Sequence, residues 1–164
     1  MAGESFVGVE AINSGVSAKF EVPEIGGGQY FIGMKVMRVQ RAKKLTLSNP
    51  GHIMALLQAV GMETCTQNKT AMASGVRLST TGENFPPDGN RYAELVGSLL
   101  YFSTTTRPDF AFAVGVLSRF MSCPEKDHMR AAKGVLRYLR GTTRLGVMYG
   151  GNAALQGYVE ADWA

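Results

Sequence analysis

The stretch RYAELVGSLLYFSTTTRPDFAFAVGVLSRFMSCPEKDHMRAAKGVLRYLRGTTRLGVMYG, residues 91–150, decides the fold, because its apolar residues recur at three- and four-residue steps. A first helix is predicted by the apolar stripe Leu95, Val96, Leu99, Leu100 and Phe102. Pro108 and Asp109 open a second predicted helix, which runs to Met121 and is apolar almost all round, a pattern that predicts full burial. A third is predicted to begin with a capping box at residues 122–125 and to stop at Gly141.

The residues before this stretch predict one weak helix and a pair of strands. Apolar residues at three- and four-residue steps predict a weak amphipathic helix over residues 5–20. From Tyr30 to Met37 the side chains alternate as in a single strand, and Leu45 with Leu47 predicts a second. Residues 40–44 would then close a hairpin.

A short helix is predicted directly after this hairpin. Asn49 and Pro50 form its start, with an Asn side chain that can cap free amides and a proline ring at helical φ. Gly61 is predicted to end it. The predicted buried face consists of Ile53, Met54, Leu56, Leu57 and Val60.

The rest of the chain is predicted to be a loop and two closing strands. Residues 62–90 lack sustained periodicity and form the expected linker, while residues 145–149 and 155–163 read as strands. The predicted fold class is therefore α+β: a short hairpin, a helical lobe and a terminal strand pair.

Composition excludes several classes of protein. The chain has 164 residues, the size of one ordinary domain, with a net charge of +4, 45% hydrophobic and 18% charged residues. This mixture excludes disorder, a coiled coil and a collagen-like fibre. No run of 18 apolar residues and no secretory signal occur, so we expect an intracellular protein without a membrane partner. Cys65 and Cys123 lack metal-ligand spacing and are expected to be reduced packing thiols.

A row of cations is the most informative chemical pattern. Its members, spaced three and four residues apart and so on nearly one helical line, are Arg130, Lys133, Arg137, Arg140 and Arg144. Residues 128–159 contain no acid, so five unpaired cations would present one positive face that invites phosphate. Binding of all five to duplex phosphates predicts a log–log salt slope of about −4.5. The alternative is a solvated helix face.

A second pattern is a pair of acids near the end of the sequence. Glu160 and Asp162 would lie on one face of the last predicted strand, where two carboxylates can help to hold divalent metal ions. Such a site needs further acids, and none lies in the preceding 32 residues. The alternative is a pair of exposed acids at a chain end.

Residues 91–150 resemble the Pol polyprotein of copia-type long-terminal-repeat retrotransposons. The motifs that carry the likeness are LVGSLLY, TRPD, AVGVLSRFM, AAKGVLRYLRGT and the final ADWA, in the family's order and spacing. Residues 19–36 and 45–63 extend it to nearly the whole chain.

The resemblance implies parts of a reverse transcriptase and a ribonuclease H. It assigns residues 1–61 to the end of the palm, 62–90 to a loop, 91–144 to thumb and connection, and 145–164 to the start of ribonuclease H. Gly33 and Met34 would lie in a palm hairpin that grips the primer end, and the basic helix would touch the template–primer duplex.

Catalysis is expected only of the longer parent protein. The Tyr-Val-Asp-Asp box that binds the polymerase's catalytic metals is absent from this sequence. Glu160 stands where the family has an aspartate metal ligand of ribonuclease H, and Asp162 follows two residues later. The resemblance implies Mg²⁺ for the parent enzyme, and we expect no strong binding of the ion by this chain.

We therefore expect a Pol fragment that contributes template–primer grip without a complete active site and remains inactive alone. The resemblance implies two partners: an RNA/DNA or DNA duplex, and the remainder of Pol, which also serves DNA integration. It implies a location in cytoplasmic particles and the nucleus. The alternative is a degenerate or co-opted remnant that acts as a non-enzymatic interaction module or has no function.

Overall fold

The computed structural model describes residues 14–15, 30–73, 75–80 and 89–150. Its strands are β1 (Tyr30–Phe31), β2 (Met34–Val39), β3 (Lys44–Ser48) and β4 (Gly146–Tyr149). Its α-helices are α1 (Pro50–Ala59), α2 (Gly89–Thr105), α3 (Ala111–Ser118) and α4 (Lys126–Gly141), with short 3-10 turns at Gln40–Ala42 and Pro108–Phe110. This mixture is compatible with the predicted α+β class.

The four strands form one antiparallel sheet in the order β1-β2-β3-β4. The predicted hairpin at residues 40–44 is confirmed, since Val39 pairs with Lys44 across it. The prediction of one continuous strand from Tyr30 to Met37 is wrong. Ile32 and Gly33 both have positive φ and turn the chain back on itself, as in the tight two-residue hairpins. The alternation of side chains continues through such a turn, so the sequence pattern does not distinguish the turn from a continuous strand.

The strand β4 joins this sheet by pairing with β3, with Leu47 opposite Val147. The sequence predicted the strand itself but not its partner. The predicted strand at residues 155–163 lies outside the described residues. Of the predicted helix over residues 5–20, the structure describes only Ser14 and Gly15, which are helical.

Helix α1 begins and ends where the sequence predicts, but its cap differs. Pro50 occupies the first turn, while the buried Asn49 side chain makes no capping hydrogen bond, and neither of its amide atoms has a partner among the residues that the structure describes. At the other end, Gly61 adopts φ +68°, and the Met62 N–H donates to the Leu57 carbonyl at 2.7 Å. This is the glycine-terminated Schellman geometry that a helix C-terminus favours.

One hydrophobic core joins all four helices. It contains Ile53 and Leu57 of α1, the α2 stripe, Val114 and Leu117 of α3, and the inner face of α4. Of the predicted α1 face, Ile53 and Leu57 are buried and Leu56 and Val60 pack against the core, whereas Met54 is 40% exposed. In the linker region, the described residues include Cys65, Ala71 and Met72, which pack against the same core.

Two further predictions about the helices are wrong. The second predicted helix is divided into a 3-10 turn and α3, ends at Ser118, and leaves Phe112 80% exposed, so it is not fully buried. The capping box of α4 is formed by Glu125 and His128, whose Nδ1 accepts the Glu125 N–H at 2.9 Å. The predicted capping box begins at Ser122, which lies before the N-cap residue of the helix, Glu125. The prediction of two packing thiols holds only for Cys65, because Cys123 is exposed.

Candidate nucleic-acid interface

The predicted basic row lies mainly on α4. Arg130, Lys133 and Arg137 are exposed, and Arg140 is partly buried on the same side of the helix. From Arg130 to Arg140 the row spans about 15 Å at a rise of 1.5 Å per residue. Arg144 is exposed but lies beyond Gly141, where the helix ends, so its assignment to the same helical line is wrong.

Two of these cations have partners, which corrects the prediction of five unpaired charges. Arg130 forms an ion pair with Asp127 at 2.9 Å, and both side chains are highly exposed. Such a pair contributes little to stability and can exchange for a phosphate. Arg140 donates from Nε to the Glu63 carbonyl at 2.6 Å, which uses one of its five N–H donors. Four cations therefore remain available along one face of α4.

The opposite face of α4 fixes the row in place. Ala132, Val135, Leu136 and Leu139 are fully buried in the core. The chain before α2 also contacts this helix: Asn68 donates from its backbone N–H to the Arg137 carbonyl at 3.3 Å and from Nδ2 to the Gly134 carbonyl. These contacts leave the basic side chains on a rigid scaffold rather than on a loop.

A buried arginine that sequence reasoning missed ties the end of α4 to the start of α3. Arg107 is 1% exposed, pairs with Asp109 at 2.8 Å and donates to the Thr142 carbonyl, directly after α4. Its guanidinium also lies over the Phe110 and Tyr138 rings. Arg107 and Asp109 both belong to the Thr-Arg-Pro-Asp motif noted in the sequence, but the sequence alone does not show that the arginine is buried.

The same cluster shifts two pKa values. Burial of Asp109 opposes its ionisation, but hydrogen bonds from Arg107 and Tyr138 outweigh it and hold the pKa of this carboxyl below its usual value. The Tyr138 hydroxyl donates to Asp109 at 2.7 Å, and this bond raises the tyrosine's pKa. The Asp109 carboxyl is therefore ionised at neutral pH, and the Tyr138 hydroxyl keeps its proton.

A groove between α1 and α2 runs toward the basic row. One section, of about 490 Å³, is lined by Leu56, Ala59, Arg91, Glu94 and Lys133. A second section, of about 720 Å³, shares Leu56, Ala59 and Glu94 with the first and reaches His52 and Tyr101. The two sections form a continuous concave surface with Lys133 at one end.

The other end of the groove meets the turn that contains Gly33. A Cβ at Gly33 would overlap the His52 ring, and the Tyr101 hydroxyl donates to the Ile32 carbonyl at 2.6 Å. Helices α1 and α2 thus hold the β1–β2 turn, with Met34 partly buried at the start of β2. The structure therefore brings Gly33 next to His52, which lines the groove, and sequence spacing could not show this contact.

The predicted metal ligands cannot be placed, because Glu160 and Asp162 lie outside the described residues. Within residues 14–15, 30–73, 75–80 and 89–150, no group of three His, Cys, Asp or Glu side chains is arranged to hold a metal ion. In the same ranges, no helix has both the length and the apolar character needed to cross a membrane.

Comparison with known proteins extends the motif match over nearly the whole chain. The chain is 38% identical over 166 residues to the retrovirus-related Pol polyprotein from transposon TNT 1-94 of Nicotiana tabacum, which covers 95% of this chain. It is 38% identical over 151 residues to the corresponding polyprotein from transposon RE2 of Arabidopsis thaliana. The chain belongs to the copia-type retrotransposon Pol polyproteins.

The match covers only a small part of these Pol polyproteins, 12% of the tobacco protein and 10% of the Arabidopsis one. A shorter similarity, 49% identity over 75 residues, relates 44% of the chain to secreted RxLR effector protein 161 of Plasmopara viticola. No protein-family model and no solved structure matches the chain.

Proposed function

We propose that this segment of a copia-type Pol protein holds the template–primer duplex of a reverse transcriptase. The single observation that carries the proposal is the row of four cations on α4, held on a rigid helix beside a groove. Phosphates of nucleic acid are the ligands that such a row attracts. The parent polyprotein would supply RNA-directed DNA synthesis and Mg²⁺-assisted ribonuclease H activity within cytoplasmic particles and the nucleus.

In this proposal, the two ends of the groove have different roles. Lys133, with Arg137 one turn further along α4, would neutralise backbone phosphates, while the turn at Gly33 would lie near the primer end. Glu94 lines the groove between these two ends, and its negative charge would repel phosphates. The phosphates would therefore follow the cations at the edge of the groove. Backbone contacts of this kind bind without sequence preference.

The chain's own residues supply binding and not chemistry in this proposal. The sequence lacks the Tyr-Val-Asp-Asp box, and Glu160 replaces the family's aspartate. We therefore expect no Mg²⁺-dependent primer extension and no RNA cleavage by the purified chain. Extension of a primer by this chain alone would contradict this part of the proposal.

The test is fluorescence anisotropy with a labelled RNA/DNA duplex across a range of salt concentrations. If all four α4 cations contact phosphates, the log–log slope is about −3.6. Lys133→Glu combined with Arg137→Glu should weaken binding strongly, because it removes two positive charges and adds two negative ones. Both side chains are exposed and lie outside the buried face of α4, so the double variant leaves the core-facing side of the helix intact.

The matched control is Arg77→Glu combined with Arg119→Glu, two exposed cations outside the row. This double variant changes net charge by the same amount, so it should reduce affinity only slightly. Equal loss of binding in both variants would mean that net charge alone attracts nucleic acid. A slope near zero for the unmodified chain would contradict phosphate binding altogether.

The alternative, a helical interaction module outside Pol, is favoured by the similarity to the Plasmopara viticola effector. That similarity covers 75 residues, and the aligned part makes up 53% of the effector. A module of this kind would fold and bind a protein partner without duplex affinity. Folded protein, shown by circular dichroism, that binds no duplex would support it.

A further inference from the structure

A second basic region lies on the sheet, separate from α4. Residues 30–62 contain five cations and no acid; they are Lys35, Arg38, Arg41, Lys43 and Lys44. All five belong to β2, β3 or the turn between them. With the five cations of residues 128–159, they leave the other residues of the chain with a net charge of −6. Positive charge is therefore concentrated in two places.

A cavity of about 500 Å³ lies at the tip of this hairpin. It is lined by Arg38, Lys43, Lys44, Leu45, Tyr149 and Gly150. The sheet register places Arg38 opposite Leu45 and Leu45 opposite Tyr149. These three residues therefore lie side by side on one face, with the backbones of Arg38 and Tyr149 about 10 Å apart at two strand spacings, whereas Lys44 alternates to the other face. The Tyr149 side chain is 53% exposed.

One side of the cavity is closed by the close approach of two backbone segments, the end of β4 and the hairpin. A Cβ at Gly150 would lie 2.6 Å from the Lys43 carbonyl oxygen, so only glycine allows the end of β4 to approach the hairpin this closely. Lys43 itself adopts the left-handed conformation at φ 48°, which is uncommon for a residue with a side chain. The backbone thus fixes Lys43, at the tip of the hairpin, beside the end of β4 that carries Tyr149.

We propose that this cavity binds single-stranded nucleic acid, with phosphates on Arg38 and Lys43 and a base stacked on Tyr149. An aromatic ring beside clustered cations is the arrangement by which proteins bind single strands without reading sequence. A duplex has no free base face that could stack on the ring. An acidic peptide would make only apolar contacts with the ring. The site goes beyond the duplex grip on α4, because it uses none of the α4 residues.

The test measures anisotropy of a fluorescein-labelled oligothymidylate of about 12 nucleotides, within the usual size of a single-strand site. Tyr149→Leu should weaken binding about tenfold, the loss expected for one stacked base, while Tyr149→Phe should retain it. Arg38→Gln combined with Lys43→Asn should lower the steepness of the salt dependence by about 1.4, since each lost phosphate contact contributes about 0.7 for a single strand. Asn tolerates the left-handed conformation at position 43, so this variant keeps the turn.

Three further measurements make the proposal falsifiable. Lys133→Glu combined with Arg137→Glu should weaken duplex binding and leave oligothymidylate binding nearly unchanged; equal loss of both would overturn a separate site. Inorganic phosphate that competes as well as the oligonucleotide would overturn it in favour of ion binding. Competition by an oligoglutamate of similar length would overturn it in favour of an acidic peptide. If Tyr149→Leu does not fold, the charge variant and Tyr149→Phe still decide the outcome.

Discussion

The helices and the sheet of this chain are stabilised in different ways. The buried hydrophobic core draws on α1–α4, on Phe110 and on Met62 just after α1, and includes no residue of the four strands. By contrast, the sheet and its flanks carry most of the large exposed apolar side chains, including Tyr30, Phe31, Met37, Met148 and Tyr149. The helices are held by burial of apolar area, whereas the sheet depends on its hydrogen-bonded ladders and on a few anchors to the helices.

This difference has a consequence for function. The basic row on α4 is fixed by the core, so its geometry is set when the helices pack. The sheet presents apolar and cationic side chains together, and the β1–β2 turn reaches the helices through Tyr101 and His52. A surface of that composition favours contact with another molecule.

The largest expected effect comes from removing a side chain of the helical core. Leu136 is fully buried, so Leu136→Ala should lower the free energy of unfolding by about 3 kcal/mol through lost burial and a cavity. The matched variant in the sheet is Met148→Ala, which removes a side chain that is 58% exposed and should cost less than about 1 kcal/mol. Urea denaturation followed by circular dichroism measures both. Equal losses would contradict the division between helices and sheet.

The second effect concerns the ion pair between Arg107 and Asp109. Asp109→Asn should destabilise the chain by about 2 kcal/mol at pH 7, a moderate value for charged hydrogen bonds because the carboxylate is 35% exposed. The folded-state pKa of Asp109 lies below its usual value, so its contribution is present above about pH 4 and is lost as the pH falls through the folded-state pKa. The stability difference between unmodified chain and variant should therefore shrink in acid.

The control for this pair is Asp127→Asn, which removes the exposed partner of Arg130. Exposed pairs one turn apart on a helix contribute only about 0.3–0.5 kcal/mol, so this variant should change stability little at any pH. Denaturation curves at several pH values test both variants. A pH-independent difference for Asp109→Asn would contradict the ionised pair.

The smallest effect concerns the anchor between helix and sheet. Tyr101→Phe removes only the hydroxyl that donates to the Ile32 carbonyl and should cost about 1 kcal/mol. Because the bond joins the β1–β2 turn to α2, hydrogen exchange should accelerate in β1 and β2 and stay unchanged in α4. Faster exchange throughout the helices would show that the two regions unfold together.

The sequence predicted well those features that depend on local pattern. The apolar stripe of α2, the glycine end of α1 and the hairpin at residues 40–44 follow from periodicity and turn chemistry, and the structure confirms them. It failed where a local pattern permits two outcomes. Alternation fits both a strand and a strand broken at Ile32 and Gly33, and an apolar run such as α3 does not reveal that Phe112 faces outward.

The candidate site divides in the same way. The sequence by itself determined the family and the spacing of the cations from Arg130 to Arg140, because helical periodicity places residues three and four apart on one face. Only the tertiary structure decided that Arg107 is buried with Asp109, and that Arg38, Leu45 and Tyr149 form one row. The physical reason is that these placements depend on contacts between residues far apart in the chain, whose register and burial are set by packing of whole elements and not by local preference.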